Sequence, residues 1–304
     1  MKKIIVKAPA TSANLGPGYD CLGLALSLHS AFTFEESDVL SISGCPQEFQ
    51  NEDNLVYRAF RRLYDEAGEN CPPVKLTISA EIPVARGLGS SSACIAGGLL
   101  AANEFLGKRF SKDELFYLAA SMEGHPDNAA PCLYGGLTAS FTEDGLPRAV
   151  PFSVCQDWIF VTVIPDYEVV TEEARKAVRQ EISLSEGVYS SAHAIAMVRA
   201  LETGDGKLAG LACRDILHEP YRRQLICDYD EVRGLALSGK EAAEQQGADT
   251  ADAFFISGSG STMIALTKSR ACAEAVRTKV LERFPNFQVL FLHAVTEGAS
   301  AIKV

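Results

Sequence analysis

The sequence predicts an α+β protein divided into two domains, and three observations carry that reading. Stretches that read as strands are mixed along the chain with segments of helical period, and no internal repeat is evident. A nearly all-apolar run from Trp158 to Ile164 follows an earlier set of strands and helices and reads as a central strand of the second half. The 304 residues, 47% of them hydrophobic, can bury a large core and divide it in two, at 1–154 and 155–304.

Each element has its own signal. Ile4, Ile5 and Val6 begin the first strand. Residues 53–67 place Leu55, Val56, Ala59, Phe60 and Leu63 on one helical face, with Arg58, Arg61 and Arg62 elsewhere. Val74, Leu76, Ile78 and Ala80 alternate with Lys75, Thr77, Ser79 and Glu81, the pattern of a half-buried strand ending before Pro83. A helix rich in Ala and Leu follows over 93–106 and begins near Ser90 or Ser91. Ser111-Lys112-Asp113-Glu114 has capping-box spacing and opens a helix through Met122. Strands around 136–141 and 148–154 are broken by Glu143-Asp144-Gly145. Beyond the 158–164 strand, helices are expected near 171–180, 186–202, 229–246 and 269–283. A strand, glycine turn and strand cover 253–266, and a last strand lies near 287–293.

The most informative loop lies between the 74–80 strand and the helix after it: Pro83-Val84-Ala85-Arg86-Gly87-Leu88-Gly89-Ser90-Ser91-Ser92-Ala93. A helix starting at its end points free backbone N–H groups and a positive dipole end at the loop, which stabilises an anion there. It reads as a phosphate cradle. A Walker loop is excluded, since no Gly-Lys-Ser or Gly-Lys-Thr occurs in the chain. Gly16-Pro17-Gly18, Gly87-Leu88-Gly89 and Gly258-Ser259-Gly260 each begin a dinucleotide fingerprint without its third Gly, which disfavours an NAD-linked oxidoreductase.

Composition narrows the partners. A formal charge of -11 without a basic cluster argues against nucleic acid, so an anionic nucleotide must be held by local features. Only three apolar residues separate Lys3 from Lys7, too few for a signal peptide, and no membrane-length apolar run appears; a cytoplasmic protein is expected. Nine Cys without a Cys-x-x-Cys pair support neither zinc nor a disulfide framework.

Three loops together carry a resemblance. They are Pro9-Ala10-Thr11-Ser12-Ala13-Asn14-Leu15-Gly16-Pro17-Gly18-Tyr19-Asp20, the 83–93 loop, and Ser257-Gly258-Ser259-Gly260-Ser261-Thr262. In this order and at these separations the chain resembles the GHMP kinase family over essentially its whole length. The first loop and Glu123-Gly124-His125-Pro126-Asp127-Asn128 look like the homoserine kinase branch in particular. The resemblance implies an N-terminal domain with a left-handed βαβ unit, against the general handedness rule, and a ferredoxin-like C-terminal domain. It implies ATP and Mg²⁺, with the 83–93 loop on the nucleotide and Ser91 and Glu123 as the metal pair.

By the same resemblance, Asn14, Asp20, His125 and Asn128 hold the acceptor, with Asn14, Asp20, Asn128 and Glu123 at the chemistry. Arg175 and Arg222 match positions that bind the carboxylate of L-homoserine, a task the planar guanidinium suits. Taken singly, each Arg reads as a solvated helix residue, and His29, His193, His218 and His293 are read as structural. Asp127 is expected to brace its turn, with a base role as the alternative. The expected reaction is ATP-dependent phosphorylation of L-homoserine on the way to threonine, with no nucleic acid or membrane partner; a homodimer is compatible. A kinase of another small alcohol, such as mevalonate or shikimate, and a non-catalytic nucleotide or amino-acid sensor stay open as alternatives.

Overall fold

In the computed structural model, which describes residues 2–237 and 250–304, the opening strand runs well past its apolar start. Strand β1, Lys3–Asn14, turns through Gly16-Pro17-Gly18 into β2, Gly18–Glu36, and the two pair antiparallel along almost their full length. The register shifts between Pro9 and Ala10, where proline contributes no N–H to the ladder. Then come β3 (Ser41–Ser43), helix α1 (Leu55–Ala67), β4 (Val74–Ser79), α2 (Ser90–Phe105), α3 (Lys112–Glu123), α4 (Ala129–Tyr134) and the hairpin β5 (Leu137–Glu143) and β6 (Leu146–Phe152). The second half contributes β7 (Ile159–Ile164), α5 (Thr171–Lys176), α6 (Leu184–Thr203), α7 (Gly206–Ala212), α8 (Glu219–Arg222) and α9 (Tyr229–Leu237). It continues through β8 (Ala253–Ile256), β9 (Met263–Thr267), α10 (Arg270–Arg283), β10 (Gln288–Leu292) and β11 (Ser300–Lys303).

Two sheets result. The first has the order β11-β1-β2-β4-β3, with β5 on another stretch of β2 and β6 beyond it. Its one parallel pair among the described residues is β3 with β4, joined through α1. The second sheet, β10-β7-β9-β8, is antiparallel throughout. Within it the strands run first, third and second from the inside out with the fourth on the other edge, the order of a β-α-β-β-α-β unit. The passage between the sheets lies at 153–158. The final strand returns, however: Ile4 to Lys7 pair with Lys303 to Ser300, so the chain's end completes the first sheet.

Local signals explain the helices that position the site. Asn54 caps α1 by accepting the Val56 N–H, and Gly68 closes it in the left-handed conformation. Its buried Phe60 stacks on Phe34 at 4.9 Å and meets Phe105 edge-on at 5.6 Å, joining α1, the sheet and the end of α2. Ser111 and Glu114 form the expected capping box of α3. The helix expected near 171–180 stops at Lys176, and residues 238–246 of the one expected near 229–246 lie outside the described residues.

Candidate active site

Three glycine loops from distant parts of the chain meet at the N-terminus of α2. Thr11 donates its N–H to Leu88 O at 3.1 Å, Gly258 donates to Ala13 O at 3.1 Å, and Thr262 donates to Arg86 O at 3.1 Å. The Ser257 hydroxyl lies 2.6 Å from Gly87 O and 2.9 Å from Ser12 Oγ. This convergence fixes the two glycines of the 83–93 loop. At Gly87 (φ 77°) a Cβ would lie 2.2 Å from Ser257 O, and at Gly89 (φ 66°) 1.9 Å from Thr11 Oγ1. Gly89 is also the residue before α2 and has no side chain to cap it. The first N–H satisfied within this helix is that of Ala93, bonded to Gly89 O, so the N–H groups of Ser90, Ser91 and Ser92 are the free turn that an anion requires.

Carboxylate chemistry sits beside that turn. Ser91 Oγ donates to Glu123 Oε1 at 2.5 Å, while Glu123 Oε2 is buried and without a hydrogen-bond partner. Burial pushes the Glu123 carboxyl above its ordinary range, against the Ser91 hydrogen bond and the nearby His125. His125 Nδ1 lies 2.6 Å from Oδ1 of Asp127, a carboxylate only 2% exposed. Burial pulls His125 down, but Asp127 and then Glu123 outweigh it and raise it on balance. Next in chain, Asn128 accepts the Thr11 hydroxyl proton at 2.7 Å on its Oδ1. The 123–128 segment thus contacts both the first loop and the start of α2.

The acceptor candidates gather around the first glycine turn. Asn14 is buried; its amide donates to Gly258 O at 2.8 Å and its oxygen accepts the Asp20 N–H at 3.0 Å. Both Asn14 (φ 72°) and Asp20 (φ 54°) stand in the left-handed region, where Asn and Asp are the tolerated non-glycine residues. Arg175 grips Asp20 with two parallel bonds of 2.9 Å, raising Arg175 on balance although burial alone lowers it. Arg222, 2% exposed, donates Nε to Ala174 O at 3.1 Å and Nη1 to Gly258 O at 3.0 Å, and lies 5.0 Å over the Tyr19 ring. No carboxylate among the described residues forms an ion pair with it, and burial lowers its pKa.

The structure therefore brings Asn14, Asp20, Arg175 and Arg222 into one cluster, linked to Ser91, Glu123, His125 and Asn128 through Thr11 and the 257–260 turn. Arg86 is turned elsewhere. Its guanidinium donates to Pro165 O at 3.2 Å and Asp166 O at 3.0 Å and pairs with Glu168 at 3.0 Å, tying the 83–93 loop to the second half. Val84 is exposed, and Ala85 adopts φ 54°. The sequence reading passed over Thr11, Ser257 and Tyr19, whose side chains meet partners far away in sequence. Two cavities lie apart from the cluster. One, about 380 Å³, includes Lys7, His29 and Glu297; the other, about 570 Å³, includes Tyr117, Tyr134 and Arg148.

Known proteins match the chain over most of its length. Residues 54–136 match the family described as GHMP kinases N terminal domain, and residues 197–286 match GHMP kinases C terminal. A homoserine kinase of Clostridium botulinum (strain Alaska E43 / Type E3) is 37% identical over 304 residues, covering 99% of both chains. Another, of Clostridium beijerinckii, is 45% identical over 231 residues, 75% of this chain and 78% of that one. The crystal structure of homoserine kinase from Cytophaga hutchinsonii superposes with a TM-score of 0.81 at 29% identity, covering 99% of this chain and 97% of that one. No helix among the described residues is long and apolar enough to cross a membrane. Through both family regions and relatives that span its length, the chain belongs to the GHMP kinase family.

Proposed function

We propose that this GHMP kinase transfers the γ-phosphoryl group of ATP to the side-chain hydroxyl of L-homoserine, giving O-phospho-L-homoserine for threonine synthesis in the cytoplasm. The observation that carries the acceptor is the doubly bonded Asp20–Arg175 pair with the carboxylate-free Arg222 in the same cluster. An α-amino acid presents an ammonium and a carboxylate together. Asp20 takes the first and the two guanidinium groups take the second, so both members of the pair gain a partner when they part. Mevalonate has a carboxylate and no ammonium; shikimate likewise leaves Asp20 without a cation.

The nucleotide end follows from the free N–H groups of Ser90 to Ser92, which hold phosphate oxygens at the start of α2. Ser91 and Glu123 fit a hard divalent cation, since both offer oxygen and Glu123 Oε2 is buried with no partner. Bound there, Mg²⁺ would neutralise charge on the phosphate oxygens. Asn128 has given its oxygen to Thr11, so its amide N–H group is what it offers the acceptor hydroxyl. Asn14 acts mainly through Asp20 and Gly258, holding the first and third loops in register. Asp127 fixes His125. A loose transition state asks for little deprotonation before the bond forms, so a positioned hydroxyl can pass its proton late to the transferred group. On this reading residues 1–154 form the nucleotide-binding domain and 155–304 supply Arg175 and Arg222.

A coupled assay of ADP release with homoserine, serine, threonine, mevalonate and shikimate tests the assignment. The expected result is Mg²⁺-dependent release fastest with L-homoserine. A tenfold preference for mevalonate or shikimate would overturn it.

A further inference from the structure

His218 belongs to the mechanism of no step above, yet it joins the two halves at the acceptor cluster. Its side chain is fully buried, and Nε2 lies 2.9 Å from Gly16 O in the first glycine turn. A carbonyl only accepts, so Nε2 carries the hydrogen, and Nδ1 is left buried without a partner. Burial, opposed by Asp215, lowers the pKa of the ring. The ring stacks on Tyr19 with centroids 5.3 Å apart and planes 21° apart. Tyr19 is also the ring under the Arg222 guanidinium, and it immediately precedes Asp20.

His218 and Arg222 stand one helical turn apart, Arg222 N bonding His218 O at 2.9 Å. A four-residue helix does not hold itself. Asp215 fixes this one by accepting the N–H groups of Leu217, His218 and Glu219 at 3.0, 2.7 and 2.7 Å. Beside His218, Glu219 accepts the Ile256 N–H at 2.6 Å, and Arg222 reaches Gly258 O. One short turn thus grips the first and third glycine loops at once.

We infer that His218 is a positioning residue of the acceptor subsite: through Gly16 and Tyr19 it sets Asp20 against Arg222. The inference rests on the homoserine reading above. Steady-state kinetics on the full-length His218→Leu, His218→Gln and His218→Asn variants, with thermal melts of each, test it. Gln carries an N–H near the place of Nε2, whereas Asn offers its polar group near Nδ1.

His218→Leu leaves Gly16 O buried and unpaired, and is expected to raise KM for homoserine about tenfold or more. KM for ATP should stay within about twofold and kcat within about threefold. His218→Gln should recover most of the homoserine affinity, and His218→Asn should not. If the Leu variant does not fold, the contrast between Gln and Asn decides. Equal loss toward both substrates, no change in either, or rescue by Asn and not Gln would each overturn the inference. A wild-type enzyme inactive on homoserine would instead overturn the proposed function.

Discussion

Glu123 is a carboxylate in surroundings that favour its neutral form, yet only its ionised form can serve a metal. Burial raises its pKa, and the Ser91 hydroxyl holds only one of its oxygens. Mg²⁺ binding should therefore weaken as pH drops through a value above the ~4.3 of a free glutamate, since the carboxyl must lose its proton to hold the cation. Glu123→Gln and Ser91→Ala are each expected to lower kcat by about 10²- to 10³-fold, the usual cost of one electrostatic contact to the transition state. Homoserine binding should barely change, and Mg²⁺ binding by the Gln variant should lose that dependence on pH. Near wild-type turnover at saturating Mg²⁺ would remove the residue from the metal site. Asp127 offers a contrast, being buried and spent on His125. Asp127→Asn should keep turnover within about tenfold, below the general-base range; a thousandfold loss with the acidic limb abolished would make it the base. Ser91, Glu123 and the 123–128 turn were singled out through the family resemblance, on motifs that are each contiguous in sequence. The partners of Arg86 were not, since Pro165, Asp166 and Glu168 adjoin it only after the two sheets assemble.

At the scale of elements, legibility followed the same divide. Helices α1, α2 and α3 announce themselves through periodicity, an Ala- and Leu-rich composition and a capping box, all short-range signals. Helix α8 has no such signal: its four residues are held by Asp215 and by loops from both halves. Its Arg222 was readable only through the family resemblance, and the backbone bonds that aim it were not readable at all. Those bonds give a prediction. A guanidinium donates to Ala174 O and Gly258 O together, which a lysine ammonium on a straight stem does not reproduce. Arg222→Lys should raise KM for homoserine about tenfold or more with a smaller change for ATP, as expected when a charge-assisted hydrogen bond is lost. Measured KM values for both substrates check this; equal weakening of both would move Arg222 out of the acceptor subsite.

Across the whole molecule, the fold class was visible in sequence, while the two sheets and their joins were not. β11 is four residues of ordinary composition, and nothing in it tells that it pairs with Ile4 to Lys7 some 300 residues earlier. Nor does composition show that the turn containing His218 and Glu219 is buried between the halves, where a carboxyl has an unusual equilibrium. Burial, and then the neighbouring Asp215, push Glu219 up to about 8 despite the Ile256 N–H it accepts. An unfolded glutamate titrates near ~4.3, so over the interval between these values the folded chain binds a proton that the unfolded chain releases. Stability from the protonated Glu219 is therefore full below the unfolded value, falls as pH rises toward about 8, and is flat beyond it. The span corresponds to a few kcal/mol, on the order of 1.4 kcal/mol per pH unit. Glu219→Gln keeps an acceptor for Ile256 N and removes the titration. Thermal melts from pH 5 to 9 at constant ionic strength should show the variant gaining on the parent steadily up to about pH 8 and holding that lead above it. Melting curves that run parallel across this window would show that Glu219 folds already ionised, and that the turn joining the halves carries a buried charge instead of a buried proton.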